Sequence, residues 1–78
     1  MEFKEITKDT LLYNGMNVYR KDGTKGVVFD SSDNGNIGVV FSFNYKMKNE
    51  QNVYNDHVID ETYRYNVYDK YKKLYYYE

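Results

Sequence analysis

The chain contains no cysteine, no proline and no tryptophan, and its apolar runs are only a few residues long. Without cysteine, neither a disulfide nor a thiolate zinc site can stabilise the fold. Residues 1–5 are charged and no apolar stretch follows them, so we expect no signal peptide. The short apolar runs argue against a membrane span. These absences predict a cytoplasmic protein with no membrane partner.

The length and the charge of the chain limit the classes of protein to consider. Its 78 residues suffice for one domain with a modest core, and we expect residues 1–78 to form it. Eleven basic and twelve acidic residues give a formal net charge of −1. Dedicated DNA-binding domains are usually basic, because neutralised phosphates supply much of their affinity. The charge therefore lowers the expectation of nucleic-acid binding without excluding it.

The first half of the chain has the pattern of a β-hairpin. Residues 1–14 are predicted to be an irregular lead-in. Residues 16–20 alternate apolar and polar side chains, and residues 27–29 are strong β-formers. Between these two strands, Asp22-Gly23 is a typical hairpin turn, because glycine adopts a positive φ at little cost.

The middle of the chain predicts further strands separated by turns. Residues 30–36 are rich in Asp, Ser, Asn and Gly, which is typical of a turn. The cleanest alternation follows at residues 37–43, which we expect to form a central strand. Polar residues 46–52 are predicted to be a loop, residues 53–54 a short strand, and residues 56–61 a turn.

The C-terminal segment admits two interpretations. Tyr63, Tyr65 and Val67 alternate as in a strand, whereas Val67, Tyr71 and Leu74 also fit helical spacing. Tyrosine and valine are weak helix formers, so we favour strand pairing, with a short helical turn near residues 69–73 as the alternative. The expected fold is mostly β: a small five-stranded SH3-like barrel or a strongly bent antiparallel sheet. Its predicted core is Met16, Val18, Val28, Ile37, Val39, Phe41, Val53, Val58 and Ile59.

Gly15, Gly23 and Gly26, with Val18 and Val28 between and after them, give the first hairpin an outline that resembles the start of a KOW or Tudor-like SH3-type barrel. In those modules a glycine precedes the first strand, and a Gly-x-x-Gly turn followed by a valine leads into the second. Gly15, Val18, Gly23, Gly26 and Val28 fit that outline. The resemblance implies a small barrel that binds RNA, ribosomes, polymerase, proteins or modified peptide tails. The chain is also similar in style to small phage or prophage proteins, with many residues encoded by A/T-rich codons.

No catalytic motif is present in the sequence. His57 is the single histidine, and together with Asp56, Asp60 and Glu61 it is a poor set of ligands for a transition metal. We interpret this cluster as a solvated acidic turn. Nucleophile elbows, P-loops and dinucleotide fingerprints are absent. We therefore expect no enzyme activity, no cofactor and no metal.

Two surfaces are candidates for binding a partner. The chain has eleven tyrosines, and the C-terminal ones are too many for one small core, so some are predicted to form a contact surface. The candidates for partner binding are Tyr63, Tyr65, Tyr68, Tyr71 and Tyr75. A second candidate surface, for nucleic acid, combines cations with an aromatic ring beside the first turn. Its residues are Tyr19, Arg20, Lys21 and Lys25, and the alternative is a charged tip that keeps the sheet edge soluble.

These observations predict a non-catalytic binding protein. The leading hypothesis is a phage-encoded protein that binds a host protein through tyrosine anchors and modulates it. The alternative is a KOW-like module that binds RNA. A homodimer in which the tyrosines form the interface is a third hypothesis.

Overall fold

The computed structural model describes residues 2–32 and 34–78, which form a single antiparallel sheet. Its neighbouring strands follow the order β1-β6-β2-β3-β4-β5. Strands β1 and β5 are the edges, so within the described residues the sheet is open and is not the predicted barrel. The mostly β expectation is confirmed, but six strands replace the predicted five. These strands are β1 (Phe3–Glu5), β2 (Asn17–Tyr19), β3 (Lys25–Ser31), β4 (Asn36–Lys48), β5 (Tyr54–Asn66) and β6 (Tyr75–Tyr77).

The two ends of the chain pair with each other. β1 lies antiparallel to β6, and the N–H of Ile6 donates to the carbonyl of Leu74 at 2.8 Å. The prediction of an irregular lead-in over residues 1–14 is therefore wrong for Phe3–Glu5, while Met1 lies outside the described residues. A three-residue strand is too short to show alternation, so its existence depends on a partner that is distant in sequence.

No helix occurs in the described residues, so they contain none that could cross a membrane. The helical turn considered near residues 69–73 is wrong. That segment is a series of bends in which the N–H of Asp69 donates to the carbonyl of Asn66 and the N–H of Tyr71 to the carboxylate of Asp69. Asn and Asp side chains compete for the backbone in this way and favour turns over helix.

The turns lie close to where the sequence predicts them. Gly23 has a φ of +92°, and the carboxylate of Asp22 accepts hydrogen bonds from the N–H and the hydroxyl of Thr24 at 2.9 and 2.7 Å. The predicted turn over residues 30–36 is shorter than expected, because β3 continues to Ser31. Asp33 in that turn lies outside the described residues.

The core lies under the centre of the sheet. Six predicted members are buried: Met16, Val18, Val28, Ile37, Val39 and Phe41. Ile6 and Leu74 are also buried and were missed, because each is a single apolar residue in a polar segment. Gly26 pairs with Val18 on one side and Phe41 on the other, and a Cβ atom there would lie 2.6 Å from Val39 and 2.7 Å from the Phe41 ring. Gly26 therefore serves packing and is not a turn residue.

The β4–β5 hairpin extends beyond the rest of the sheet. The two strands pair continuously from Asn36↔Asn66 to Lys48↔Tyr54, whereas β3 pairs with β4 only along residues 37–41. Residues 42–48 and 54–60 therefore pair only with each other, and we call residues 42–60 the arm. At about 3.3 Å per residue, β4 alone extends over roughly 40 Å of a molecule that measures 52 × 25 × 23 Å.

The arm overturns several predictions made for its residues. The loop predicted over residues 46–52 is strand as far as Lys48, and the turn predicted over residues 56–61 lies inside β5. Val53, Val58 and Ile59, predicted to be core, are 53%, 71% and 41% exposed. They are exposed because no third strand or second layer covers this part of the hairpin.

Candidate functional site

Arg20 lies over a group of aromatic rings at the end of β2. Its guanidinium carbon is 4.4 Å from the centre of the Phe41 ring, 4.8 Å from that of Tyr63 and 5.3 Å from that of Phe43. The rings belong to β4 and β5, and the turn after Arg20 directs its side chain across them. A cation held over several ring faces is attracted by their quadrupoles, so Arg20 has a defined position.

The surroundings of Arg20 keep it charged. Burial by itself lowers the pKa of the guanidinium, but the neighbouring Tyr65 and Tyr63 hydroxyls together outweigh burial and raise the pKa above its ordinary value. Arginine is cationic at every physiological pH even without this support. Arg20 therefore provides a permanent positive charge on the aromatic rings.

A groove opens beside Arg20, between the end of β2, the C-terminal end of β5 and the segment that leads to β6. Its volume is about 470 Å³. We call it the basic groove, because its lining combines six cations with four tyrosines. The lining residues are Arg20, Lys21, Tyr63, Arg64, Tyr65, Lys70, Tyr71, Lys72, Lys73 and Tyr75.

The charge of the protein is strongly segregated around this groove. Six of the eleven basic residues line it, and no acidic side chain is among its described lining residues. The rest of the chain has five basic and twelve acidic residues. The formal net charge of −1 therefore conceals a cationic groove on an otherwise acidic molecule, which is the distribution that attracts an anionic ligand.

Two of the six cations are paired with carboxylates. Arg64 contacts Asp30 at 2.7 Å, and Lys73 contacts Glu5 at 3.1 Å. The other four, Arg20, Lys21, Lys70 and Lys72, form no ion pair within residues 2–32 and 34–78. Their charges are therefore available to a ligand.

A glycine determines the position of Arg64. On β4, Gly38 lies between Asp30 of β3 and Arg64 of β5, so the three residues form one row across the sheet. A Cβ atom on Gly38 would lie 2.7 Å from the Phe29 ring and 3.0 Å from the Arg64 guanidinium. Because that atom is absent, Arg64 can cross the row to Asp30, with its guanidinium carbon 5.2 Å from the centre of the Phe29 ring. Successive side chains of a strand point to opposite faces, so this guanidinium lies on the face away from Tyr63 and Tyr65, and Arg64 borders the groove without directing its charge into it.

The tyrosines of the groove differ in how they are held. Tyr75 stacks on Phe3, with ring centres 4.8 Å apart and planes 12° from parallel, and is half-buried. Tyr71 is 93% exposed, while its backbone is held by the bond from its N–H to Asp69 at 2.8 Å. A ring that is free in solvent on a tethered backbone can stack on a flat ligand.

The structure brings the two predicted surfaces together in one place. Tyr63, Tyr65, Tyr71 and Tyr75 of the tyrosine set line the basic groove, as do Arg20 and Lys21 of the cationic set. Three predicted residues lie outside this lining. Tyr68 lies next to Gly35 and is 63% exposed. Tyr19 packs edge-on against Tyr77, with ring centres 4.9 Å apart. Lys25, on β3, pairs with Tyr19 of β2.

Four groove cations were missed by sequence reasoning. Lys70, Lys72 and Lys73 surround Tyr71 in the run Lys-Tyr-Lys-Lys, a basic segment interrupted by an aromatic residue. Such charge patterning was the available signal, and it was missed because only the tyrosines of this segment were considered for binding. Arg64 gave no comparable signal, since only the pairing of β4 with β5 places it beside the groove.

The acidic residues around His57 do not assemble into a metal centre in the described part of the chain, where no group of three or more metal-ligating side chains occurs. His57 lies on β5 opposite Tyr45, within the arm. The carboxylate of Glu61 accepts hydrogen bonds from the hydroxyls of Tyr45 and Tyr63, both at 3.3 Å. Burial first, and Glu61 second, raise the pKa of the Tyr45 hydroxyl, which keeps it protonated as the donor.

The chain was compared with protein-family models, with curated proteins and with solved structures, and none of them matches it. The basic groove is a described surface on which several cations and four tyrosines lie together. The functional assignment below depends on its residues.

Proposed function

We propose that the protein is a non-catalytic binding protein whose basic groove holds single-stranded nucleic acid. One observation supports this above all. Four cations that form no ion pair within the described residues line one groove together with four tyrosines, and its described lining contains no carboxylate. A ligand that matches both features has regularly spaced negative charges and flat rings that can stack, and this description fits a nucleic-acid strand.

The cations provide the contacts with phosphate. Lys70 and Lys72 are exposed on the segment before β6, and Lys21 is exposed on the opposite side of the groove next to Arg20. Each phosphate that they neutralise releases counterions, so affinity falls with salt. For single strands the slope of log K against log salt is roughly −0.7 per phosphate, so four contacts predict a slope of roughly −3.

The tyrosines provide contacts with the bases. Tyr71 is the most exposed of them and is expected to stack on an unpaired base, which contributes about 1–3 kcal/mol. In a duplex the faces of the bases are covered by their neighbours, so this contact favours a single strand. Stacking of this kind depends little on base identity, and we expect weak sequence preference.

The likeness of the β2–β4 region to KOW modules belongs to the same proposal. Gly15 and Gly23 have positive φ on either side of β2, whereas Gly26, the second glycine of the Gly-x-x-Gly outline, lies inside β3. Members of that family often bind RNA, which supports the same class of ligand by analogy of fold. A cytoplasmic location and a phage origin are compatible parts of this proposal.

The test measures binding of a fluorescent oligo(U) or oligo(dT) by anisotropy over a range of salt concentrations. The double variant Lys70→Gln/Lys72→Gln should weaken binding tenfold or more and reduce the salt slope by about 1.4, since two phosphate contacts are lost. Lys46→Gln/Lys48→Gln is the matched control, because it removes two exposed lysines with the same spacing from the arm. The control should change affinity less than twofold.

The stacking contact is tested separately. Tyr71→Ala should weaken binding by about 1–3 kcal/mol, whereas Tyr71→Phe should retain it because the ring remains. Tyr68→Ala removes an exposed tyrosine outside the groove and should have no effect. Absence of binding at low salt, or equal losses from the groove and arm lysine pairs, would contradict the proposal.

A protein partner is the second candidate, favoured by the exposure of Tyr68. This ring lies beside a separate depression of about 290 Å³, formed by Thr7, Leu12, Ser31 and neighbouring residues. Exposed aromatic anchors next to a depression are typical of protein interfaces. Capture of a host protein that is lost in Tyr68→Ala but retained in Lys70→Gln/Lys72→Gln would support this candidate, and the reverse result would contradict it.

A further inference from the structure

β5 is an edge strand along its whole length. It pairs with β4 through thirteen consecutive positions without a shift of register, and no strand of the described residues pairs with its other side. Exposed edges are usually protected by being short or by carrying proline, lysine or a bulge. The sequence of β5 contains no proline or lysine, and its pairing contains no bulge. Its charged residues are Asp56, Asp60, Glu61 and Arg64, and charged side chains also protect an edge, so any pairing must place them away from like charges. The opposite edge, β1, has only three residues and carries Lys4.

The unpaired backbone groups of β5 can be assigned from the pattern of its bonds to β4. At the tip of the hairpin the N–H of Asn49 donates to the carbonyl of Val53 at 2.9 Å. At the opposite end of the two strands the N–H of Val67 donates to the carbonyl of Gly35 at 3.0 Å. Hydrogen-bonded pairs alternate along an antiparallel ladder, so odd-numbered residues of β5 point their backbone groups towards β4. The groups of even-numbered residues, including Val58 and Asp60, point outwards.

We propose that this edge pairs with β5 of a second copy of the chain, antiparallel, about a twofold axis at Ile59. In this register Val58 lies opposite Asp60 of the second copy, and both residues have outward backbone groups that can exchange two hydrogen bonds. His57 lies opposite Glu61, and Asp56 lies opposite Thr62. No two like charges face each other, and like charges directly opposite destabilise a sheet.

The neighbouring registers are less favourable. An axis at Val58 places Asp56 opposite Asp60 twice, and an axis at Asp60 or Glu61 places each of these carboxylates opposite its own copy. An axis at His57 places two imidazoles together. An axis placed further towards the C-terminus would centre the pairing on the part of β5 that lines the basic groove together with residues 70–73.

The pairing also accounts for the apolar side chains of the arm. Phe43 lies beside Ile59 on the same face of the hairpin. About the proposed axis, the two Ile59 side chains meet and the two Phe43 side chains flank them, which makes a continuous apolar row across four strands. Such rows of cross-strand neighbours are the units that stabilise a sheet. The proposal does not depend on which ligand the basic groove binds, although Tyr63 and Arg64 at the border of that groove lie opposite Asn55 and Tyr54 of the second copy.

The absence of cysteine makes the register directly testable. Ile59→Cys introduces a single thiol, and in the proposed dimer the two copies lie opposite each other with Cα atoms about 4.5 Å apart, within the range of a disulfide. Oxidation should yield a covalent dimer. Val58→Cys is the matched control, because its two copies are diagonal neighbours about 7–8 Å apart and should cross-link poorly. A mixture of Val58→Cys and Asp60→Cys should form the heterodimer.

Sedimentation from micromolar to millimolar concentration tests the dimer without cross-linking. Ile59→Arg places two positive charges on the axis and should raise the dimerisation midpoint at least tenfold. Val53→Arg, at another exposed apolar position that lies outside β5, should leave the midpoint unchanged. A wild-type chain that stays monomeric, a dimer that Ile59→Arg leaves intact, or equal cross-linking of Ile59→Cys and Val58→Cys would overturn the proposal.

Discussion

The body and the arm of this sheet use the same kinds of residue but differ in what covers them. The body consists of the described residues outside 42–60 and contains all eight buried apolar side chains. The arm has aromatic and β-branched residues in equally regular alternation, yet none of them is buried. Alternation of apolar and polar residues therefore specifies a strand. Its apolar side chains become buried only where other segments of the chain pack against them. For β4 the change occurs at Ser42, where pairing with β3 has ended.

The largest expected contrast is in stability. Phe41→Ala removes the largest fully buried side chain and should lower the free energy of unfolding by about 3–5 kcal/mol. Met47→Ala, on the same face of β4 but in the exposed arm, should change it by less than about 0.5 kcal/mol. Urea denaturation of both variants measures the difference. Comparable losses would show that the arm is packed against something in solution.

A smaller effect is expected from overpacking the body. Gly26→Ala places a methyl group against Val39 and the Phe41 ring and should cost about 1–3 kcal/mol. Gly23→Ala meets no neighbour but must adopt a φ of +92°, and should cost about 1 kcal/mol. If Gly26→Ala proved harmless in the same denaturation assay, the close packing of β3 against β4 would be refuted.

Hydrogen exchange should separate the two regions residue by residue. Amides of the body around Val39 should be protected up to the global stability, whereas those of Tyr45 and His57, which bond to each other's strand within the arm, should exchange faster, because few buried contacts hold the arm. If the second copy binds at β5, protection of Val58 and Asp60 should rise with protein concentration while that of Lys46 changes less. Uniform protection along β4 would remove the distinction between body and arm.

The smallest expected effect concerns pH. The hydroxyl and the N–H of Thr24 lower the pKa of Asp22 below its ordinary value. Because the folded pKa is below the unfolded one, this contribution to stability is present above the unfolded pKa and is lost as pH falls through the folded pKa. Asp22→Asn should slightly reduce the loss of stability between neutral pH and about pH 3. Asp9→Asn, whose carboxylate accepts no hydrogen bond within the described residues, is the control.

Much of the body could be predicted from local patterns, and most of the basic groove could not. Ile37, Val39 and Phe41 followed from alternation, and the turn at Asp22-Gly23 followed from the tolerance of glycine for positive φ. The prediction failed for Val58 and Ile59, since an apolar residue in a strand is buried only if another element reaches it. Arg20 was singled out for its charge, but its position over Phe41 depends on how β2 and β4 are arranged.

By itself the sequence determined that the chain forms strands, where the first hairpin turns and which residue types are available for binding. These properties depend on a few neighbouring residues and on the conformational limits of each residue. Tertiary structure alone decided that β1 pairs with β6, that the arm is uncovered, and that the cations of residues 20–21 and 70–73 lie around four tyrosines. Those outcomes depend on contacts between residues that are distant in sequence, and the pattern of residues along a single strand carries no information about such contacts. The net charge of −1 is an example: the sequence gives its value, but only the fold places six basic residues along one groove and leaves the rest of the molecule acidic.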